Sequence, residues 1–416
     1  MIALQSGKEK SKIYDEYNEV ISHVAKDYST SFAAIASPTI SRQEAVTDLF
    51  HKCIEPNNNK IDFVTFLVFP FRLIWHFMNM VLLSIIFRES EIKPNSIYIR
   101  SWLVPQSFID GNIRDEYFRN MPDDLRKTSS VIQAFQPLGY RYSWRLLKYK
   151  LKNDQVLPLG LLSIIDIIKL FYEFLSSGYL KIEGNYMLGK KNIVGDINNS
   201  LKRDFIEMRS FLAFQEKYIA QKLIKLKISK FIYVFENQSW EKVYCNIFAK
   251  NNITTIGYQS SGFSKKFLNF YPTKIDKENQ SQPNFILTVG DAFTKLLKEE
   301  AFYKSSILTY AAMRFDHPSK ENKYIISNQI DYHCRKLLYA FSVDISQYDF
   351  ILNKLEKVFG GTDFIIHLKF HPLHELYAKN FKSKLPENFI IITQTNNEKL
   401  SSEYDFILFN DNSYGI

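Results

Sequence analysis

The sequence predicts an α/β protein built on two parallel sheets, and three observations lead to that expectation. From about residue 230 onward, short apolar segments rich in β-branched and aromatic residues alternate with segments of helical periodicity. Such alternation is typical of parallel strands joined by right-handed helical crossovers. The 416-residue chain is also long enough for roughly two or three domains. Its 46% hydrophobic and 23% charged residues are typical of a globular protein.

The N-terminal half is predicted to be largely helical. We expect a helical insertion at about 61–90 and a helical region at about 157–226. The individual elements expected here are a helix to about Asp27, a strand over Ser96–Val104, a helix over Asp115–Leu125 and one long helix over Phe205–Leu226.

The second half supplies the alternating pattern. Helices are expected over Trp240–Lys250, Asp291–Phe302, Tyr348–Phe359 and Leu373–Lys384. Strands are expected over Lys230–Phe235, Thr254–Tyr258, Asn284–Val289, Ser306–Tyr310, Lys336–Phe341, Phe364–Leu368, Phe389–Thr393 and Phe406–Phe409.

A domain boundary is predicted in the polar stretch Asp316–Asn328, which contains Pro318. This divides the chain into an N-terminal domain, 1–315, and a C-terminal domain, 316–416. The last six residues, 411–416, look like a cap that opens a helix. We therefore expect the natural protein to continue, with the C-terminal domain incomplete in this sequence.

Charge and cysteine content limit the classes of partner and compartment. The formal net charge is +9 and the pI is near 9.0, which suits nucleic acid, anionic lipid or an anionic small substrate. The chain carries no helix–turn–helix, finger or aromatic RNA-reading signature, so nucleic acid is not expected as a partner. Cys53, Cys245 and Cys334 lie far apart, which indicates a reducing cytosol and no disulfide scaffold.

Two apolar segments raise the question of a membrane. Phe63–Phe87 is long enough to span a bilayer, but Arg72 lies well inside it and would cost at least about 2.5 kcal/mol there. A buried helix or one that lies in the membrane interface is favoured over a span. In Leu157–Leu175 the apolar residues recur at helical spacing, which predicts an amphipathic helix that faces the core. These residues are Leu161, Ile164, Ile165, Ile168, Phe171, Tyr172 and Leu175.

The segment 364–375 combines a predicted strand with a basic cluster at its carboxyl end. Open α/β sheets bind ligands at that edge. Lys369 and His371 are two residues apart and can point to the same side of an extended chain, while Pro372 ends the strand. The lysine and the imidazole suit a phosphate group, and Glu375 belongs to the same candidate donor site. The alternative is a chance basic cluster at a surface strand end.

Two glutamates follow the strand Lys230–Phe235. Glu236 lies at its carboxyl end, where a general base could take a proton from a hydroxyl group. Glu241 lies one turn further on and could stabilise the helix start through the macrodipole. For Glu236 the alternative is a helix cap without chemistry, and the sequence leaves both open.

Further polar residues follow other predicted strands. Gln259, Ser260 and Ser261 lie after Thr254–Tyr258 and could contact a phosphate or a sugar, although an ordinary loop has the same composition. Arg314 could face an anionic donor or form a structural ion pair. His371 and His374 have no third ligand at a suitable spacing, so no metal site is expected.

These segments together resemble a family of bacterial surface-carbohydrate biosynthesis proteins related to the inverting GT-B glycosyltransferases. The resemblance rests on Glu-Asn-x-x-Trp-Glu at 236–241 and Gly-Tyr-Gln at 257–259, with Arg-Ser-Trp at 100–102 and Asp-Glu-Tyr-Phe at 115–118. More distantly, His371-Pro372 and Ser413 are similar to nucleotide-binding motifs of CMP-sugar transferases.

The resemblance implies two Rossmann-like domains that face a cleft and a metal-independent, inverting sugar transfer without a cofactor. Glu236 would be the base, Lys369 and His371 would hold the donor phosphate, and Ser413 would add a hydroxyl contact. The expected donor is CMP-linked, with a UDP-sugar as alternative. The acceptor would be a glycan or a lipid-linked molecule at the inner face of the plasma membrane, where the protein would bind peripherally. Ser260 departs from the family, in which a histidine is expected.

Two rival functions remain open on the sequence. The chain could be a non-catalytic scaffold of the polysaccharide machinery that keeps the fold without turnover. It could also be an enzyme similar to the UDP-sugar epimerases, which share this architecture.

Overall fold

The computed structural model describes residues 7–43, 63–88, 92–109, 111–149, 151–263, 267–313, 335–341, 348–370, 385–392 and 404–409. The chain divides into two compact units. The first comprises Met1–Ser260 and Lys265–Asp316, and the second comprises Ser261–Ser264 and His317–Ile416. The boundary predicted at Asp316–Asn328 lies outside the described residues and stays a prediction.

The first unit is built on a seven-stranded sheet, and the strand pairings found in it are parallel. Two short antiparallel hairpins, β2–β3 and β6–β7, lie outside that sheet. The strands are β1 (Ile97–Leu103), β2 (Phe108–Ile109), β3 (Asn112–Ile113), β4 (Val131–Pro137), β5 (Gln155–Val156), β6 (Met187–Leu188), β7 (Lys191–Asn192), β8 (Lys230–Val234), β9 (Thr254–Gln259), β10 (Phe285–Thr288) and β11 (Ser306–Thr309).

The strand order of this sheet is β11-β10-β9-β8-β1-β4-β5. From β1 the chain first winds outward through β4 and β5, then returns to β8 and winds the other way. The order therefore reverses between β1 and β8, as in a doubly wound, Rossmann-like sheet. Ligands of such sheets bind at the carboxyl ends of the two strands that flank the reversal.

Helices cover the sheet and extend the first unit beyond it. They are α1 (Gly7–Asp27), α2 (Phe32–Ala36), α3 (Pro38–Ser41), α4 (Phe63–Ile86), α5 (Met121–Arg126), α6 (Tyr140–Arg145), α7 (Ile164–Ser177), α8 (Val194–Ile206), α9 (Phe211–Lys225), α10 (Ser239–Ala249), α11 (Lys274–Asn279) and α12 (Asp291–Glu300). Short 3-10 turns occur at Pro105–Ser107, Leu146–Lys148, Pro158–Leu161 and Leu268–Phe270.

The second unit contains a four-stranded parallel sheet of order β14-β13-β12-β15, which again reverses beside its first strand. Its elements are β12 (Lys336–Ala340), α13 (Tyr348–Phe359), β13 (Ile365–Lys369), β14 (Phe389–Ile391) and β15 (Phe406–Phe409). The side chains of Leu352 and Leu355 pack with Ile366 and Leu368 in its core. The predicted α/β class with two parallel sheets is confirmed.

Two predicted elements of the first unit differ from the structure, and one strand was missed. The long helix over Phe205–Leu226 is wrong, because the chain breaks between α8 and α9 at Met208, whose φ is +59°. The helix over Asp115–Leu125 begins only at Met121, since Asp115 instead organises a turn. The strand β4 was not predicted. The predicted helix Leu373–Lys384 lies outside the described residues.

The prediction that the apolar residues named in Leu157–Leu175 face the core is wrong for five of the seven. Ile165 is 64% exposed and Tyr172 is 74% exposed, and Ile164, Ile168 and Leu175 are also exposed. The buried face of the helix is instead made by Ile167, Leu170, Phe171 and Phe174. Helix α7 is therefore apolar on two faces, of which the described residues cover one.

Candidate functional site at the β8–α10 turn

Glu236 lies where the strand order of the first sheet reverses. Strand β8 ends at Val234, and Phe235 still donates its backbone N–H to the carbonyl of Tyr258 on β9 (2.8 Å). Glu236 is the next residue and is half-buried. The carboxyl end of β8 beside β1 is the ligand-binding position of a doubly wound sheet. The predicted location of Glu236 at a strand end is thus what the structure shows, while its chemical role remains a prediction.

Glu241 holds the backbone of the turn that carries Glu236. Its carboxylate accepts hydrogen bonds from the backbone N–H groups of Glu236 (3.0 Å), Asn237 (2.9 Å) and Gln238 (3.1 Å). The side chain is only 1% exposed. Burial raises the pKa of Glu241 well above its usual value, and the backbone donors oppose that rise. An acceptor contact through Glu241 does not fit this position, because its oxygens face the helix start and not solvent.

Two asparagines complete the turn. Asn237 has a φ of +54°, in the left-handed region that asparagine tolerates better than most residues. Its side-chain amide donates to the carbonyl of Asn269 (2.6 Å), and the side-chain amide of Asn269 donates back to the carbonyl of Glu236 (2.5 Å). The carboxylate of Glu236 also accepts a hydrogen bond from the side-chain amide of Gln238. Sequence reasoning missed Asn269, because it lies 33 residues away with no motif around it.

Beneath this turn lies a buried charged group. The guanidinium of Arg100 on β1 contacts the carboxylate of Glu216 on α9 (2.6 Å), and Tyr244 donates its hydroxyl to the same carboxylate. Arg100 also lies over the rings of Trp102 (4.5 Å) and Trp240 (3.6 Å). The segments 100–102 and 236–241 are therefore in contact, through the packing of Arg100 against Trp102 and Trp240.

Asp115 anchors a second segment to the same strand. Its carboxylate accepts hydrogen bonds from Ser101 Oγ (2.7 Å), from Gln133 Nε2 (2.9 Å) and from the N–H groups of Tyr117 (2.9 Å) and Phe118 (3.0 Å). Burial raises the pKa of Asp115, and these donors oppose the rise. The segment 115–118 is thereby tied to β1 and β4, which gives it a structural role.

Of the three polar residues at and just after the end of β9, two are buried. Gln259 is fully buried, and its side-chain oxygen accepts from the backbone N–H of Val289 (3.3 Å). Ser260 is 4% exposed, and its hydroxyl has no hydrogen-bond partner among the described residues. Ser261 is half-buried. A direct acceptor contact through Gln259 does not fit its burial, whereas the unpartnered hydroxyl of Ser260 remains a candidate.

The packing around Gly257 explains why the Gly-Tyr-Gln segment begins with a glycine. A Cβ atom at this position would lie 2.8 Å from the ring and 2.9 Å from the Cβ of Phe235, the residue before Glu236. We expect Gly257→Ala to destabilise the protein by roughly 1–3 kcal/mol, because Phe235 and its backbone must shift. The measurement is urea denaturation.

Gly195 on α8 is a matched control, since a Cβ atom there meets nothing within 4 Å. Gly195→Ala should leave stability unchanged or raise it by about 0.5–1 kcal/mol, as expected in a helix. Equal stability of the two variants would contradict the packing argument for Gly257.

Lys242 is a buried cation that sequence reasoning did not single out. Its neighbours include the carboxylates of Glu241 and Asp276 and the guanidinium of Arg42, which pairs with Asp276 at 2.8 Å. Burial, with a smaller effect of Arg42, lowers the pKa of Lys242 to about 7. Between pH 7 and the usual lysine pKa of about 10.5, the unfolded chain binds the extra proton.

The contribution of Lys242 to the free energy of unfolding should therefore rise with pH above 7. We expect Lys242→Met to flatten this rise between pH 7 and pH 9, measured by urea midpoints at each pH. An identical pH profile in both proteins would show that the lysine keeps an ordinary pKa in the folded state.

In the second unit, Lys369 is the last residue of β13 and is half-buried on the face that also carries His367. Burial lowers the pKa of its ammonium group. The imidazole of His367 contacts the hydroxyl of Tyr404 (2.7 Å). The strand end predicted to carry Lys369 is confirmed. The other expected donor contacts, namely Arg314, His371, Pro372, Glu375 and Ser413, lie outside the described residues.

The described arrangement offers a half-buried carboxylate on a fixed turn in one unit and a cation at a strand end in the other. Such groups can accept a proton and neutralise an anion, respectively. Within the described ranges no group of three or more His, Cys, Asp or Glu side chains is placed to hold a metal ion.

No protein-family model matches the chain, and no curated protein matches it. Among solved structures, UDP-N-acetylglucosamine 2-epimerase from Rickettsia bellii is 12% identical with a TM-score of 0.42, over 76% of this chain and 74% of its own. The UDP-GlcNAc 2-epimerase from Neisseria meningitidis, bound to UDP-GlcNAc, is 9% identical with a TM-score of 0.42. The match covers 76% of this chain and 78% of the epimerase chain. MurG from Acinetobacter baumannii is 10% identical with a TM-score of 0.35. The match covers 76% of this chain and 72% of the MurG chain. Likenesses this distant carry no argument about the chemistry of this chain.

Proposed function

We propose that the protein is an inverting, GT-B-type glycosyltransferase of bacterial surface-polysaccharide biosynthesis. It transfers a sugar from a nucleotide-activated donor to a glycan or a lipid-linked glycan acceptor. The observation that supports this most strongly is the position of Glu236, which lies at the reversal point of a doubly wound sheet. Glu236 is a half-buried carboxylate on a turn that Glu241, in the first turn of α10, holds in place. Such a placement is what a general base requires.

In the proposed reaction, an acceptor hydroxyl attacks the anomeric carbon of the donor sugar. A new C–O bond forms as the bond between that carbon and the donor phosphate oxygen breaks, and the nucleotide leaves with the electron pair. Glu236 takes the proton of the hydroxyl. A single displacement of this kind inverts the anomeric configuration. The reaction uses the nucleotide-sugar as a substrate and assigns no step to a metal or a cofactor.

The second unit is proposed to hold the donor phosphate. Lys369 would face it from the end of β13, and His371, Ser413 and Arg314 would add contacts. Positive charge near the departing phosphate stabilises the transition state more than the ground state. We favour a CMP-linked donor, on the similarity of His371-Pro372 and Ser413 to the motifs of CMP-sugar transferases, with a UDP-sugar as the alternative.

Nucleotide binding separates this proposal from its rivals. Isothermal calorimetry and thermal shift with CMP, UDP and ADP, on the full-length protein, should show binding of CMP and no comparable effect of ADP. No stabilisation by any of the three would favour a non-catalytic scaffold. Opening or epimerisation of a free UDP-sugar without an acceptor would indicate an epimerase instead.

A further inference from the structure

Helices α4 and α7 present a large apolar surface that is exposed in the described part of the structure. Helix α4 is 24 residues long, or about 36 Å. It is also the one helix of the described residues that is long and apolar enough to cross a membrane, yet only 17% of its most apolar window is buried. Single exposed apolar residues are normal on proteins, but a contiguous patch marks an interaction surface. Its most exposed members are Phe71, Ile74, Trp75, Ile165 and Tyr172.

The opposite face of α4 is fixed to the first unit at several points along its length. The ring of Phe69 packs against Phe205 (5.3 Å between centroids), and that of Phe77 against Phe171 (5.2 Å). Trp144 on α6 donates its indole N–H to Asn79 (2.7 Å). A helix that crosses a bilayer cannot keep one face on a water-soluble unit over its whole length. The packing therefore favours a helix that lies in the plane of the membrane surface.

The C-terminal end of α4 is held by a close backbone approach. A Cβ atom at Gly160 would lie 1.9 Å from the carbonyl oxygen of Phe87, so only glycine fits there. Gly160 belongs to the turn that follows β5, and Trp144 belongs to α6, which follows β4. Both contacts lie beyond the carboxyl ends of their strands. The apolar surface is therefore anchored at the sheet edge that also carries Glu236.

The charges around this surface favour anionic lipid. Residues 63–88 contain no aspartate or glutamate, and neither do residues 138–152 beside them, whereas Asp62, Glu89 and Glu91 flank the first segment in the sequence. The exposed cations in this region are Arg88, Arg141, Arg145, Lys148, Lys152 and Lys169. The two acids of α7 are both paired with lysines of α9, Asp166 with Lys222 (2.6 Å) and Glu173 with Lys217. The described rim of the surface thus carries uncompensated positive charge.

We propose that α4, α7 and the basic residues Arg141, Arg145 and Lys148 at α6 form a docking surface for one face of an anionic bilayer. The two helices would lie in the headgroup region without crossing the membrane. A second copy of this chain is a poorer occupant, because a two-fold contact would bring the basic rims together. Lipid headgroups supply the complementary negative charge, and the acyl region accepts the apolar faces. The orientation would also present Glu236 to a lipid-linked acceptor, which rests on the proposed function, whereas the docking itself does not.

The test is vesicle flotation of the full chain, with phosphatidylcholine vesicles that contain a quarter phosphatidylglycerol and with phosphatidylcholine alone. We expect binding to the anionic vesicles that weakens with salt. Phe71→Gln with Tyr172→Gln should reduce partitioning at least about tenfold, since each removes an exposed aromatic group from the bilayer. The control is Phe350→Gln on α13, which removes a ring that is 65% exposed on the other unit and should change nothing.

Two further readouts keep the proposal open to refutation. Arg141→Gln and Lys148→Gln should each weaken binding to anionic vesicles about fivefold, while Lys295→Gln on α12 should not. Trp75 fluorescence should be quenched more strongly by lipids brominated near the headgroup than near the chain end, and the reverse order would indicate a span. Absence of flotation, or a dimer in sedimentation that Phe71→Gln dissociates, would overturn the proposal. Each assay is done without nucleotide, so the outcome does not depend on transferase activity.

Discussion

Glu236→Gln should reduce sugar transfer about 10²- to 10⁴-fold while nucleotide binding and stability stay unchanged. A general base contributes a factor of this size, and glutamine cannot take up the proton. Glutamine has the same shape and keeps an oxygen that can accept the hydrogen bond now donated by Gln238. The measurement is the initial rate of transfer at saturating donor, with calorimetry on the same preparation for nucleotide affinity.

Gln238→Ala is the matched control for this variant. It removes the neighbouring amide but leaves the carboxylate of Glu236 in place, so the rate should fall far less. If Glu236→Gln transfers sugar at the rate of the unaltered protein, Glu236 is a structural residue of the helix start and the base must be sought elsewhere.

Arg100→Met should destabilise the first unit by about 3–5 kcal/mol. Arg100 and Glu216 are 1% and 0% exposed, so the substitution leaves a buried carboxylate without its cation. The methionine side chain fills a similar space between Trp102 and Trp240, which limits the packing loss. Urea denaturation followed by tryptophan fluorescence gives the free energy of unfolding.

The double variant Arg100→Met with Glu216→Met separates charge from packing. It should recover much of the lost stability, because replacing both members of a buried pair by apolar groups is often nearly neutral. Lys295→Met, which disrupts an exposed pair with Glu299 at 3.9 Å, should have little effect. A double variant as unstable as Arg100→Met would mean that packing around Arg100, and not the unpaired charge, accounts for the loss.

Apolar periodicity predicted most strands of both sheets well. It failed where a polar side chain in a strand is buried through a hydrogen bond to a distant residue. The strands β8 to β13 are short apolar runs, and each lies within a residue or two of its predicted position. Strand β4 was missed because Gln133 and Gln136 interrupt its pattern. Gln133 is nevertheless buried, since its amide donates to Asp115. Only the folded structure supplies that partner.

Periodicity also could not tell which apolar face of a helix is covered. In α7 the spacing of Ile164, Ile168 and Leu175 is correct for a helix, but the protein covers the face of Leu170 and Phe174 instead. Both faces are apolar, so the distinction depends on what packs against the helix and not on the helix itself. The uncovered face is the one proposed here to contact lipid.

In the candidate site, the sequence predicted the position of the turn. It did not predict which of the two glutamates binds the backbone of the turn and which stays partly exposed. Glu236 and Glu241 are both acidic residues near the end of a strand. The left-handed backbone at Asn237 and the helix geometry direct Glu241 inward onto three N–H groups and leave Glu236 half-buried. Asn269, which holds the carbonyl of Glu236, comes from a distant segment and could not be anticipated from the motif.

The most direct test of the proposed mechanism is a crystal structure of the full-length protein with CMP and an acceptor analogue. We predict that the CMP phosphate contacts Lys369 and His371, and that the acceptor hydroxyl lies within hydrogen-bond distance of Glu236. A nucleotide bound away from the end of β13, or an acceptor hydroxyl out of reach of Glu236, would contradict the mechanism.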